Sequence, residues 1–377
     1  TRRGKILAGS RIMRWREIPP AGRLPMLILG MICLLTAVLG GLARLAIDVP
    51  AFAQHQAGGH GALMIAGFFG TVISLERAVA LHRLWPYLAP LCAGVGGVVL
   101  LTPAPGALSP LLFCLSGVIF LAASGLVYRQ MPAVFTFTLL LGAASLLLGN
   151  LVWLWQAEIS SAMPFWMSFL VLTIAGERLE LTRFLPPNPI GRRIFIGVLG
   201  LVVIAASLIL FAVPFATQLL AGGWLILACW LLRYDIARRT VKQTGLTRFV
   251  AVCLLAGYGW LAMGGALGLA GAFEPGHPWR DSALHAIFLG FVFSMVIGHA
   301  AIIFPAVMRV KIPYHPFFYL PLAALQLSLG LRVIGNLGDG WALRQSGALL
   351  NALSLALFIL TILISVIRGA SNQKAPA

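Results

Sequence analysis

Two imidazoles stand in one uncharged apolar run. His285 and His299 lie within residues 282–308, SALHAIFLGFVFSMVIGHAAIIFPAVM, which holds no other ionisable side chain. At ~100° per residue, fourteen residues fall about 40° short of four turns, so an unbroken α-helix puts both rings on nearly one face, about 21 Å apart. A second run, HGALMIAGFFGTVISLERAVALHR, opens with His60 and carries Met64 one turn on. Both runs mix small and bulky residues, with Gly61, Gly67 and Gly70 in one and Gly290 and Gly298 in the other. Small residues let helices or a flat ligand approach closely. A histidine in hydrocarbon is costly without a partner and is by default a functional group.

Two neutral imidazoles on facing helices, with glycines between them, are what an axially ligated b-type haem requires. His60 and His285 are the expected iron ligands, with Met64, Gly67 and Gly290 lining the slot. No Cys-x-x-Cys-His occurs, so covalent attachment of the haem is not expected. The plainer reading, interfacial histidines bonded to loop carbonyls or headgroups, stays open. His299 has no histidine partner on the first run, where Ser74 stands fourteen residues after His60. It is read as a further metal ligand, a relay, or a histidine bonded to a neighbouring helix. Glu76-Arg77 and Glu177-Arg178 read as charges fixing helix ends, or as a proton entrance or quinone headgroup contact. His55 and His277 offer a copper site or a docking point for a periplasmic redox protein; solvated loop residues are the plainer account.

The elements that must position these groups are membrane helices. The 377 residues are 60% hydrophobic and 10% charged, against about a quarter charged in soluble domains. Apolar runs of spanning length recur from Pro25 onward. Twelve spans are expected, near 25–47, 60–81, 85–103, 107–128, 133–156, 161–182, 192–213, 214–233, 246–272, 282–308, 316–337 and 343–367. Val213-Pro214 is the weakest boundary, and proline there favours a tight turn. Residues 1–24 form a basic cytoplasmic segment suited to a short amphipathic helix on anionic lipid. Residues 25–367 form the transmembrane domain, and 368–377 a cytoplasmic tail.

With the N-terminus cytoplasmic, 23 of the 27 Lys and Arg fall on that side. Only Arg44, Arg280, Arg332 and Arg344 fall on the other. The positive-inside rule therefore favours a multi-pass bacterial inner-membrane protein with both termini cytoplasmic. It also accounts for the net charge of +17 without nucleic acid. Five cysteines inside apolar runs read as buried apolar residues. His60 and His285 then share a depth beneath the outer face. Spans two and six both end in Glu-Arg with a further Arg beyond. Spans two, six and ten are four apart, which hints at a four-helix unit repeated three times.

Twelve spans with a histidine at the outer end of the second and another near the start of the tenth resemble haem-copper oxidase subunit I. The resemblance is nearer to the NnrS-like branch, membrane haem proteins associated with nitric oxide and denitrification. It implies that His60 and His285 hold a low-spin haem and that the chain transfers electrons, with quinol as a donor or partner subunits alongside. The chain departs from the oxidase pattern in having no histidine on spans six and seven, and Ile287 where a second span-ten histidine would stand. The resemblance therefore does not carry over an oxygen- or NO-reducing centre. Two other classes compete: a transporter or permease using intramembrane histidines for metal or protons, and a cofactor-free anchor of a respiratory complex.

Overall fold

The computed structural model describes residues 17–103 and 106–374. The expected amphipathic N-terminal helix lies largely outside them. The fold is all-α. Among the described residues, eleven helices are long and apolar enough to cross a membrane: α1 Pro20–Ala43, α2 His60–Leu81, α4 Leu108–Gln130, α5 Val134–Gln156, α6 Ile159–Thr182, α7 Pro189–Leu210, α8 Ala216–Tyr234, α9 Gly245–Leu269, α10 Arg280–Met308, α11 Pro316–Leu337 and α12 Trp341–Ser371. The third expected span is a shorter apolar helix, α3, Trp85–Leu100. At ~1.5 Å per residue it measures about 24 Å, short of a ~30 Å hydrocarbon core. It packs on α1, α2 and α4, and so still reverses the chain between its neighbours.

The expected turn at Pro214 is present. α7 ends at Leu210 and α8 begins at Ala216, with Ala212 and Phe215 in left-handed conformations between them. The C-terminal boundary differs from expectation: α12 runs unbroken in helix to Lys374, so residues 368–374 continue the last span. Residues 368–374, RGASNQK, contain no proline to end the helix, and each added residue closes one more backbone hydrogen bond. The cysteines are free, as expected, although Cys229 is exposed on the flank of α8.

The three most buried spanning helices are α2, α6 and α10, with 67, 67 and 61% of their apolar windows inside the bundle; the others lie between 28 and 50%. Spans two, six and ten, four spans apart in the sequence, are therefore the three helices at the centre. α10 touches α1, α2, α6, α9, α11 and α12. Phe68 and Phe69 of α2 meet Phe293 of α10 with ring centroids 6.4 and 5.3 Å apart.

Both histidine-bearing helices depart from α-geometry at the same place. Leu63–Phe69 in α2 and Ala286–Phe293 in α10 are π-helical, and each begins within three residues of its histidine. A π-segment winds more slowly than an α-helix, so the expected alignment of His285 and His299 by ~100° steps does not hold across it. Thr71 and Ser74 hydroxyls donate to the Gly67 and Gly70 carbonyls where α2 returns to α-geometry. In α10 the return is held from outside. Gln326 of α11 donates to Ser294 Oγ at 2.9 Å and accepts from Trp260 Nε1 of α9.

Candidate functional site

His60 is the first residue of α2, and its position is set by the preceding loop. Gly40 of α1 lies so close to the Gln56 carbonyl that a Cβ would come within 2.7 Å of it. Gln56 donates to the Leu100 carbonyl at 3.1 Å, tying the loop to α3. The Ala57 carbonyl then faces back: His60 Nδ1 lies 3.1 Å from it, and Arg44 donates to the same oxygen at 3.4 Å.

His285 is fixed by a denser set of bonds. Asn336 of α11 accepts from the Ser282 amide and hydroxyl at 3.1 and 2.7 Å, and donates to the Pro278 carbonyl at 3.1 Å. These bonds pin the first turn of α10 to α11. His285 Nδ1 lies 2.8 Å from the Asp281 carbonyl one turn earlier, and 3.2 Å from the Asp281 carboxylate. Arg332 grips that carboxylate with two bonds of 2.9 and 2.8 Å, and Arg344 Nε adds a third contact at 3.3 Å.

The two histidines therefore share one chemical state. Each uses Nδ1 on a carbonyl of its own local backbone. Among the described residues, neither Nε2 has a hydrogen-bond partner. This is the second-sphere arrangement that fixes a metal-binding imidazole: Nδ1–H donates to an oxygen, and Nε2 keeps its lone pair. Both rings border a single cavity of about 220 Å³.

The cavity wall is apolar below the histidines, with Met64, Met163, Phe288 and Leu289 among its residues. Its rim is cationic. Arg44, Arg280 and Arg332 border it, and Arg344 stands behind Arg332 on Asp281. These are the four arginines that break the positive-inside pattern. Arg332 and Arg344 share the Asp281 carboxylate, while Arg44 and Arg280 donate to the Ala57 and Phe273 carbonyls, so the rim carries more guanidinium than carboxylate and suits an anionic group. Glu158 and Glu274 lie further round, bonded to Ser160 and Thr217.

Met64 lines the cavity as expected. Gly67 and Gly290 are not among its lining residues. Gly67 lies against Cys33 of α1, where a Cβ would be 3.1 Å from Sγ, and Gly290 lies directly under the Trp260 ring of α9. Both glycines bring helices together, and the glycines bordering the cavity are Gly41, Gly58 and Gly61. His299 lies elsewhere. It lines a second cavity further along α10, with Nδ1 2.8 Å from the Met295 carbonyl, a bond within its own helix. His55 is exposed, and His277 accepts from the Trp279 amide at 3.1 Å. Among the described residues, no group of three or more His, Cys, Asp or Glu side chains is arranged to hold a metal ion. A bis-histidine iron needs only two protein ligands.

Asp281, Arg332 and Arg344 were not singled out as site residues. Two signals pointed to them: the Asp-x-x-x-His spacing in α10, and arginines on the side where arginine is scarce.

A b-type haem fits the donor set and the charge of the rim, while the cavity is small for it. Cofactor pockets commonly span ~300–1,000 Å³. The linings that would have to give way, Met64 and Met163, are unbranched and adaptable. A family model described as a domain of unknown function (DUF8744) matches residues 23–367, and the chain belongs to that family. No curated protein matches the sequence.

Proposed function

We propose that this member of the DUF8744 family binds one b-type haem between α2 and α10, which His60 and His285 would hold, and serves membrane electron transfer. The single observation that carries the reading is the pair of histidines on separate helices, each with Nδ1 bound to a carbonyl and Nε2 free, bordering one cavity. Such a group would supply reversible one-electron transfer when bound.

The chain's own residues have separable roles. Asp281 holds the His285 ring in orientation through its backbone carbonyl and its carboxylate, and Arg332 holds Asp281. Arg44 and Arg280 provide charge for the two carboxylates that haem b carries. Phe288, Leu289 and the two methionines exclude water. The role proposed for it lies in nitrogen-oxide metabolism at a bacterial inner membrane, a reading supported only by the resemblance of the His60 and His285 positions to those of NnrS-like proteins. A lipid-soluble quinol would be the donor, and a periplasmic acceptor would meet the end bearing His55 and His277.

The test is the visible spectrum of the detergent-purified protein, produced with ample haem supply, together with a pyridine haemochromogen assay. The expected result is a reduced-minus-oxidised α-band and about one haem b per chain, lost in His60→Ala and in His285→Ala. Colourless wild-type protein, or haem retained in both variants, overturns the reading.

A further inference from the structure

The second cavity is larger, about 380 Å³, and lies between α1, α2, α6, α10 and α12. α1 and α12 meet at the histidine end, where Leu42 and Leu45 pack on Ala348 and Gln345 donates to the Leu45 carbonyl at 2.7 Å. Beyond that contact the cavity occupies the space between them. It is bordered there by Leu24, Ile28 and Leu363, which are 48, 50 and 54% exposed on the apolar flank. Its way in is therefore from lipid.

Almost all of the wall is hydrocarbon, yet Glu76, Glu177, Arg178 and His299 also border it. Among the described residues, none of these four makes an ion pair or hydrogen bond to another side chain. Arg178 is only 5% exposed, and its Nε has no partner. Unpaired ionisable groups in such a place are expensive, and the cost falls when a ligand supplies the missing bonds. His299 holds Nδ1 on its own helix, which leaves Nε2 as an acceptor.

The polar groups discriminate among amphiphiles. Two carboxyls beside one arginine disfavour an anionic head such as that of a fatty acid or a phospholipid phosphate. A neutral head that both accepts and donates hydrogen bonds matches them. A quinone presents two carbonyls, which Arg178 and a protonated carboxyl can satisfy. A quinol presents two hydroxyls, which His299 Nε2 and a carboxylate can accept. The isoprenoid tail suits the apolar wall and the opening toward lipid.

We propose that the second cavity is a lipid-accessible binding site for the headgroup of an isoprenoid quinone, held by His299, Arg178, Glu76 and Glu177. Phe293 borders both cavities, so one phenyl side chain stands between this site and the histidine pair. The role this gives the quinone, as the lipid-side redox partner, rests on the haem reading; the binding does not.

The experiment uses the full chain in lipid nanodiscs and a photoreactive azido-quinone, with short-tailed ubiquinone and menaquinone as competitors. Label is expected on peptides of α1, α10 or α12 that border the cavity, competed by the unlabelled quinones. Ile359→Trp, which fills the cavity and leaves its polar groups in place, should abolish the label. Glu177→Gln should weaken competition about tenfold, the scale of one hydrogen bond involving a charged group. The His60→Ala/His285→Ala double variant should label as wild type does. If wild type lacks haem but labelling persists and depends on residue 359, the site stands and the haem reading alone fails. The proposal is overturned by label spread over the lipid-facing flank and unchanged by Ile359→Trp. A second haem per chain that disappears in His299→Ala also overturns it.

Discussion

Asp281→Asn is the most direct test of how the histidine pair is tuned. The substitution keeps the side-chain shape and removes one negative charge. The backbone carbonyl of residue 281, 2.8 Å from His285 Nδ1, is untouched, so the ring keeps its orientation. The carboxylate lies 3.2 Å from Nδ1 on the side away from Nε2, which puts it roughly 7 Å from an iron bound at Nε2. Two unit charges at ~7 Å in an effective dielectric of ~20 interact by about 2.4 kcal/mol. For a one-electron couple that is about 100 mV. The oxidised iron carries the extra positive charge and loses this stabilisation, so the midpoint potential should rise by that amount. The variant should also be less stable, because Arg332, with its side chain 9% exposed, loses its counter-ion, a loss of ~3–5 kcal/mol for a buried pair. The assay is a redox titration of the α-band with haem content measured in parallel. Full haem content with a shift under about 20 mV, well below the Coulomb figure, would refute the coupling of Asp281 to the ligand.

Other expectations follow from single contacts. Arg280→Gln removes one cation of the rim and should weaken haem retention during dialysis against a haem-binding competitor while leaving the α-band position unchanged; an equal rate of loss in wild type argues against a carboxylate-binding rim. Gly290→Ala should lower thermal stability by ~1–3 kcal/mol, as overpacking against Trp260 does, and Gly67→Ala by less, since Cys33 leaves more room. Equal midpoints for the two variants contradict that assignment. At the other end of the bundle, burial pushes the Glu17 carboxyl up, but the His82 hydrogen bond and the Arg23 and Arg309 guanidiniums outweigh it and hold it below the ordinary value. Its stabilisation is then present at neutral pH and lost as pH falls through the depressed value. Glu17→Gln should cost ~1.5–3 kcal/mol near pH 7 and converge with wild type in acid. A gap that is independent of pH refutes the ion pairs. Burial raises the Asp235 carboxyl instead. Its charged form opposes folding as pH rises, so Asp235→Asn, which keeps an acceptor for the Ala237 amide, should be as stable as wild type or more so above neutrality. Lower stability there would show that the charge is paired.

The architecture was legible because the bilayer forces it. A chain in hydrocarbon must satisfy every backbone group internally, so apolar length alone marks helices. The span edges fall within a few residues of the expected ones. The exception is the end of α12, which runs to Lys374 where 367 was expected; α3 starts at Trp85 as expected and ends at Leu100, where a Pro- and Gly-rich segment follows. The central place of α2, α6 and α10 was also foreshadowed by the Glu-Arg ends of two of them. Arg178 and Glu177 border the lipid-facing cavity, which explains why a charge pair that looked like an anchor is only partly solvated.

That His60 and His285 border one cavity agrees with their shared depth, but what fixes each ring could not be read from the sequence. Each depends on a backbone carbonyl, Ala57 or Asp281, and no side-chain pattern reveals where a carbonyl points. The π-segments are hidden for the same reason. Leu63–Phe69 and Ala286–Phe293 have no proline or distinctive composition, and an α-helical reading of either is locally adequate. What selects the wider winding is tertiary: Phe68 and Phe69 against Phe293, and Trp260 over Gly290. A π-turn carries one extra residue, so everything after it on that helix is rotated relative to the histidine before it. In α10 that rotation decides which residues reach the second cavity. His299 lines it because of the residues between the two histidines, not because of the fourteen-residue spacing. Both cavities therefore depend on the same departure from regular helix, and a substitution that restored α-winding in Ala286–Phe293 should disturb the two together.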